Sequence, residues 1–268
     1  MIDLTALVLT FNEKENIGRT LAALRWIQKI LVIDSFSTDN TIEIARATHP
    51  GVEVIQRRFD SFAAQCNFGL ARIEAPWILS IDADYVITPE LEQEISQLDP
   101  PQSVAGYSAA FRYCVHGRPL RNTIYPRRTV LYRRGLATYR DEGHGHRVQI
   151  DGLVSSLNHQ IDHDDRKPLS RWLRSQDRYL RIEARHLIAT PNERLNRPDR
   201  LRKRIYFGPA VIFLYLLIGR GLILDGWPGW FYVFQRTLSE MLLSLRLLTE
   251  REGLEKQTAE IALPARED

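Results

Sequence analysis

Four short apolar runs, each followed by a polar loop and then by apolar residues at helical spacing, restrict what this chain can fold into. Leu4-Thr5-Ala6-Leu7-Val8-Leu9-Thr10-Phe11 is continuous, partly β-branched and of strand length, the pattern of a strand covered on both faces. Residues 30–33, 52–55 and 77–81 repeat it. Between them lie helical patterns: Ile17, Leu21 and Leu24 after an Asn12 cap, Ile42, Ile44 and Ala45 after Ser37-Thr38-Asp39, and residues 62–73. Pro89 opens a further helix at its tolerated first-turn position. Parallel strands need such crossovers, so the pitch predicts an α/β fold with a mostly parallel central sheet and flanking helices.

After Pro100-Pro101 the pattern changes to Arg-rich strands, expected at 104–115, 129–133 and 147–150, followed by a helix over 169–188. Residues 191–204 read as a basic linker. Residues 205–218 carry no charge but contain Gly208 and Pro209, and they fall short of the roughly 20 residues that span a bilayer. Trp227, Trp230, Phe231, Tyr232 and Phe234 follow, and with the Arg/Lys cluster at 200–204 they have the composition of a membrane interface. An in-plane or re-entrant attachment is the leading expectation; a helical cap buried on the domain and a hairpin span are the alternatives.

The formal net charge of +3 conceals opposed blocks. Residues 1–100 hold eight basic against fifteen acidic side chains, residues 112–147 nine against two, and residues 166–204 thirteen against four. An acidic front half and a basic middle imply a carboxylate-rich site beside a surface for anions, phosphate first among them. Cys66 and Cys114 belong to no zinc or disulfide pattern, and Met1-Ile2-Asp3 lacks the cationic start of a secretory leader, so a reducing compartment is expected.

Ligands of open α/β sheets bind beyond the carboxyl ends of the strands. There this chain has Thr10-Phe11-Asn12-Glu13, Asp34-Ser35-Phe36-Ser37-Thr38-Asp39 and Asp82-Ala83-Asp84. Carboxylates as close as Asp82 and Asp84 repel unless a cation joins them, and hard oxygen ligands select Mg²⁺ or Mn²⁺ with open positions for substrate phosphates. No Walker loop, dinucleotide-binding glycine fingerprint or His-Glu-x-x-His helix occurs, which leaves metal and arginine to neutralise a diphosphate.

Together with Ala63-Ala64-Gln65-Cys66-Asn67-Phe68-Gly69-Leu70, these segments stand in the order and approximate spacing of family 2 glycosyltransferases, strongly over residues 4–100. Within that family the chain resembles the bacterial group that adds a hexose to the lipopolysaccharide core or related cell-envelope glycans. The resemblance implies a GT-A fold, an NDP-sugar donor (a UDP-sugar first), Mg²⁺ or Mn²⁺, inversion at the anomeric carbon, and a lipid-linked or lipopolysaccharide-core acceptor at the cytoplasmic face of the inner membrane. It implies a nucleotide-sugar half over 1–100 and an acceptor half of the same domain over 101–190; composition adds a basic linker and membrane-associating helices over 191–252 and a flexible tail over 253–268.

Carried over by residue, the resemblance has Thr10, Asn12 and Glu13 lining the nucleotide pocket, Asp34 holding base or ribose, Asn67 framing the donor, Asp82 facing ribose or sugar, and Asp84 binding the metal. Ser35 departs from the family, which often has a second acid there. Inverting transfer needs a carboxylate to take the acceptor's proton. Glu142 is the leading candidate, with Asp141 and Asp151 as alternatives. His163 is expected either as a further metal ligand beside Asp84 and Asp82 or as part of a surface salt-bridged segment. Arg127, Arg128, Arg133 and Arg134 are candidates to grip acceptor phosphate, and residues 200–204 to meet anionic headgroups. Two other readings compete: nucleotidyl transfer on a similar sheet, and an Arg-rich phosphate- or nucleic-acid-binding module. Thr10-Phe11-Asn12-Glu13 is acidic where the first needs a basic, glycine-rich loop. The second leaves Asp82-Ala83-Asp84 unexplained, so no nucleic-acid partner is expected.

Overall fold

The computed structural model describes residues 2–142 and 145–253, with the side chains of residues 142, 145 and 146 excluded. The chain divides into two compact units, Met1–Lys167 and Pro168–Asp268. The expected tail lies, from residue 254 on, outside the described residues.

In the first unit the four apolar runs become β1 (Leu4–Thr10), β2 (Lys29–Asp34), β3 (Val52–Gln56) and β4 (Trp77–Asp82), connected by α1 (Ile17–Ala22), α2 (Thr41–Thr48) and α3 (Phe62–Leu70). They pair in parallel in the order β3-β2-β1-β4. Side chains alternate across the sheet as the strand period requires. Ala6, Val8, Leu79 and Ile81 pack on one face with Leu21, Leu24 and Leu91, and Leu7 and Ile78 on the other with Cys66, Ile73 and Tyr132. Each fully buried aliphatic side chain contributes about 1.5–3 kcal/mol, which fixes the strands rigidly enough to aim the loops at their ends.

Beyond β4 the sheet becomes mixed. β5 (Tyr85–Ile87) and α4 (Pro89–Ser96) are followed by β6 (Val104–Val115), the short β7 (Arg118–Pro119), β8 (Arg128–Arg133), the hairpin of β9 (Ala137–Glu142) and β10 (Gly145–Ile150), and β11 (Leu153–His163). β8 runs antiparallel to β4, β6 antiparallel to β8, β11 parallel to β6, and β5 antiparallel to β11. The fold is thus α/β with one large central sheet and flanking helices. β9 and β11 have no strand signature in the sequence; β11 is polar and largely exposed, and it is held by pairing with β6 over most of its length.

The second unit is helical: α5 (Leu169–Ala189), α6 (Arg197–Arg202), α7 (Gly208–Leu214) and α8 (Trp227–Glu252). Leu180, Ala184, Leu187, Leu195, Ile205, Leu243 and Leu247 form its core. The aromatic run at 227–234 is the first two turns of α8, and among the described residues no helix is long and apolar enough to cross a membrane. Most of the basic cluster at 200–204 is committed internally. Arg202 pairs with Glu240 at 2.8 Å and Asp199 at 2.9 Å, while Arg200 and Lys203 donate to the carbonyls of Leu195 and Thr190. Those three side chains therefore tie segments of the unit together.

Candidate active site

Strand register assembles the site. Thr10 lies opposite Asp34 and Leu9 opposite Asp82, so the loops after β1, β2 and β4 meet at one carboxyl edge. β1 leads to β2 on one side and β4 to β5 at the opposite edge of the sheet, so the strand order reverses between them, the switch point at which α/β folds bind ligands.

The first two loops are tied to each other. Asn12 N donates to Ser37 Oγ at 2.7 Å, Thr38 N to Asn12 Oδ1 at 2.7 Å, and Glu13 N to Thr41 Oγ1 at 2.7 Å. Asn12 has φ 55° and so does not cap α1; that position falls to Asn16. Phe36, also left-handed at φ 60°, holds its ring exposed at the same edge, as Phe11 does. A bulky residue costs energy in this backbone region, and such strain persists where the surrounding structure enforces it. Thr10 Oγ1 is buried with no hydrogen-bond partner.

Asp34 is fully buried and accepts from Ser37 N at 2.8 Å and Gln56 Nε2 at 3.1 Å, which shapes the loop after β2. Ser35 Oγ accepts from Gln65 Nε2 at 3.0 Å. The Asn67 amide clasps the backbone of Tyr139, donating to O and accepting from N, both at 2.9 Å. Asn67 is a tie between α3 and β9.

Asp82 and Asp84 diverge because β4 ends at Asp82 and the chain turns before Asp84. Asp82 faces Arg128, Oδ2 to Nη1 at 4.0 Å, and is 40% exposed; Asp84 points inward at 14%. Asp84 instead meets His163, Oδ2 to Nε2 at 3.4 Å. β11 brings the histidine there by pairing His163 with Tyr85, the residue after Asp84. Its ring is clamped edge-on by Tyr85, Tyr113 and Tyr125 at centroid distances of 4.9–5.1 Å, and Nδ1 is buried without a hydrogen-bond partner. Aromatic packing, not a hydrogen bond, orients Nε2 toward Asp84.

Among the described residues no three or more His, Cys, Asp or Glu side chains converge as a metal cage; of the expected trio Asp82, Asp84 and His163, the structure brings Asp84 and His163 together. The chemistry of that pair fits Mg²⁺ or Mn²⁺, because such ions keep few protein ligands and leave their remaining positions to phosphate oxygens.

Burial would raise the Asp84 pKa, but His163 and Lys167 hold it well below the usual carboxylate range. Burial would lower that of His163, and Asp84 outweighs it and raises it above 6.5. Burial pushes Glu13 up to about 7 against the pull of Lys167, 2.7 Å away. Both raised groups stabilise the fold in their protonated forms below their ordinary pKa values, and that contribution is lost as pH rises through the folded values. A metal needs unprotonated Nε2. Between about pH 6 and 8, metal-free protein is therefore expected to lose thermal stability while its affinity for Mn²⁺ rises by up to about tenfold per unit. Melting curves with and without Mn²⁺ across that range check it, and an affinity independent of pH contradicts it.

The basic middle is less available than its composition implies. Arg127 donates to the carbonyls of Ser108 and Leu157, and Arg133 to that of Val104 while lying over Trp77. Arg134 lines a shallow depression with Leu70, Ile73 and Ile78 on the other side of the unit's sheet edge, next to Pro76. Arg128 alone of the four lies at the site, beside Asp82 and 4.8 Å over the Tyr125 ring.

Of the candidate bases, Asp141 sits at the far end of β9, its Oδ1 accepting from Ala63 N at 3.2 Å, where α3 begins after β3. The backbone of Glu142 follows it, but its side chain lies outside the described residues. Asp151 is at the opposite end of the hairpin: its N–H donates to Leu136 O, and Arg134 N to Pro76 O, before β4 begins. Asp151 thus lies toward the amino end of β4 and Asp141 toward the start of α3.

Sequence reasoning missed a network behind Asp84. Asn16 bridges Glu13 and Asp165 at 2.8 and 3.0 Å, Arg19 pairs with Asp164 at 2.8 Å, and Lys167 reaches Glu13. The charged run Asp164-Asp165-Arg166-Lys167 was its one local signal.

The glycosyl transferase family 2 model matches residues 5–152. An uncharacterised glycosyltransferase of Rickettsia felis is 33% identical over 99 residues, covering 37% of this chain and 34% of that protein. The chain thus spans about a third of the length of that relative and of others like it. The lipopolysaccharide core biosynthesis glycosyltransferase LpsC of Rhizobium meliloti is 24% identical over 236 residues, 85% of each chain. Among solved structures, S. aureus TarS 1–349 in complex with UDP-GlcNAc is similar at 14% identity, covering 94% of this chain and 92% of that one, with a TM-score of 0.46. With a family model matching more than half of its length, the chain belongs to glycosyl transferase family 2.

Proposed function

We propose that this glycosyltransferase is a metal-dependent, inverting hexosyltransferase that uses an NDP-sugar, a UDP-sugar first, and a lipid-linked or lipopolysaccharide-core acceptor. The observation that carries the reading is the Asp84–His163 pair, 3.4 Å apart at the carboxyl edge. The unpartnered Thr10 hydroxyl and the exposed rings of Phe11 and Phe36 support a nucleotide beside it: a hydroxyl to satisfy and apolar faces for a base. The relation to LpsC over 85% of each chain supports the acceptor class.

When bound, a divalent ion supplies positive charge for the departing diphosphate. Asp84 and His163 would hold it, and Arg128 lies within reach of a sugar or phosphate oxygen beside Asp82. The acceptor oxygen bonds to the anomeric carbon as the carbon–oxygen bond to the diphosphate breaks, its electron pair leaving on the phosphate. The acceptor's proton passes to Glu142, with Asp141 as the alternative. A thermal-shift panel of UDP-, GDP-, ADP- and dTDP-sugars with Mn²⁺ tests the donor class: one nucleotide family should stabilise the protein, and stabilisation by none overturns the reading.

The second unit is read as a peripheral or monotopic attachment to the cytoplasmic leaflet of the inner membrane. Tyr206, Phe207, Leu214, Ile218, Leu224 and Trp227 are all 49% exposed or more, an apolar display that suits the interfacial layer of a bilayer. Flotation with vesicles containing anionic lipid is expected to carry the wild-type protein and to lose most of it when Phe207, Leu214 and Ile218 are changed to Ser. Equal flotation of both proteins contradicts the attachment.

A further inference from the structure

Lys167 is the most enclosed lysine contact in the first unit, and no step of the transfer described above uses it. Its Nζ lies 2.7 Å from Glu13 Oε1, 3.4 Å from Asp165 Oδ1 and 3.9 Å from Asp84 Oδ2, and its side chain is 18% exposed. Burial alone would lower its pKa; Asp84, Glu13 and Asp165 outweigh that and keep it charged. The neighbouring Asp164 is neutralised separately by Arg19 and Arg166 at 2.8 and 2.7 Å. Lys167 is thus a counter-charge shared by Glu13, Asp165 and Asp84.

It is also held in place. Lys167 N donates to Asp165 Oδ1 and Arg166 N to Asn16 Oδ1, both at 3.0 Å, which fastens the segment after β11 to the start of α1. A cation arriving at Asp84 and His163 therefore meets an ammonium that already shares the Asp84 carboxylate and has little room to withdraw. Two cations this close repel in a partly buried site, where the effective dielectric is low. A diphosphate bridging the region turns that repulsion into shared attraction, because its oxygens carry charge opposite to both.

We propose that Lys167 is a positioning residue that occupies the metal's electrostatic place before the donor arrives, so that a divalent ion is held tightly only together with a nucleoside diphosphate. The inference rests on the nucleotide-sugar reading given above. It assigns a coupling between metal and nucleotide to one side chain, and coupling of this kind is reciprocal: nucleotide tightens metal by the factor by which metal tightens nucleotide.

Calorimetric titration of Mn²⁺ into the full chain, with and without UDP, tests it. Wild type is expected to bind Mn²⁺ weakly alone and more tightly with UDP. Lys167→Met is expected to bind Mn²⁺ alone about tenfold more tightly than wild type, the order of effect of removing a fixed charge near a cation site, and its gain from UDP should shrink correspondingly. Lys167→Arg, which keeps the charge, should restore the wild-type pattern. If Lys167→Met does not fold, Lys167→Gln, which retains a donor for Glu13, carries the same expectation. A purely structural lysine would lower stability without changing the coupling, so uncharged variants that bind Mn²⁺ alone no more tightly than wild type overturn the proposal and leave the transferase reading standing. Wild type that takes up no Mn²⁺ even with UDP overturns both.

Discussion

Asp84→Asn is expected to lower sugar transfer by about a thousandfold or more and to remove the metal-dependent part of donor binding. The amide keeps the size of the carboxylate but not its charge, so it cannot hold a divalent ion opposite His163 Nε2, 3.4 Å away. The remaining polar groups of the edge, Thr10, the loop after β2 and Arg128, are untouched, and nucleotide should still bind weakly without metal. Transfer assays with the donor chosen by thermal shift, run beside Mn²⁺ titrations, separate the two losses. Transfer retained within tenfold of wild type would show that the charge of Asp84 does not act on the departing diphosphate. Because Asp84 also faces Lys167 at 3.9 Å, the metal-free variant should lose some stability too, so the comparison must be made below its melting temperature.

Glu142→Gln is expected to abolish transfer, by about a hundred- to ten-thousandfold as general-base loss does, while leaving donor stabilisation unchanged. The reason is positional. The end of β9 lies at the edge where β3 hands over to α3, as the Asp141–Ala63 hydrogen bond shows. Asp141 is engaged there as an acceptor for the start of α3, which favours its neighbour for proton transfer. Asp141→Asn should therefore reduce stability more than it reduces transfer. If Asp141→Asn abolishes transfer with donor binding intact and Glu142→Gln does not, the base is Asp141.

The parallel core was legible because burial on both faces leaves a local mark: runs such as Leu4 to Phe11 admit little else. Once those strands are parallel, the placement of Thr10, Asp34, Asp82 and Asp84 at one edge follows from chain direction alone. What the sequence concealed depends on pairing between distant segments. His163 reaches Asp84 through its register with Tyr85, 78 residues earlier, as the pairing of β11 with β5 dictates, and no local periodicity encodes that match. Lys167 and Glu13 meet across a separation of 154 residues. The same blindness misassigned charged side chains in the other direction. Arg127, Arg133 and Arg202 look like an anion-binding surface by composition, yet each is used on carbonyls or carboxylates of its own unit. Spacing alone does not separate Asp141 from Asp151, whereas the hairpin's direction puts Asp151 toward the amino end of β4. Composition reports which charges exist, and only the fold reports which ones are already matched.

The central claim is a divalent ion held between Asp84 and His163 with the donor's phosphates completing its ligands. Anomalous scattering from crystals of the protein grown with Mn²⁺ and UDP tests it most directly. The account predicts one manganese peak within about 2.0–2.3 Å of both an Asp84 carboxylate oxygen and His163 Nε2, and of diphosphate oxygens. Bound UDP with no such peak, or manganese held elsewhere in the first unit, would contradict it.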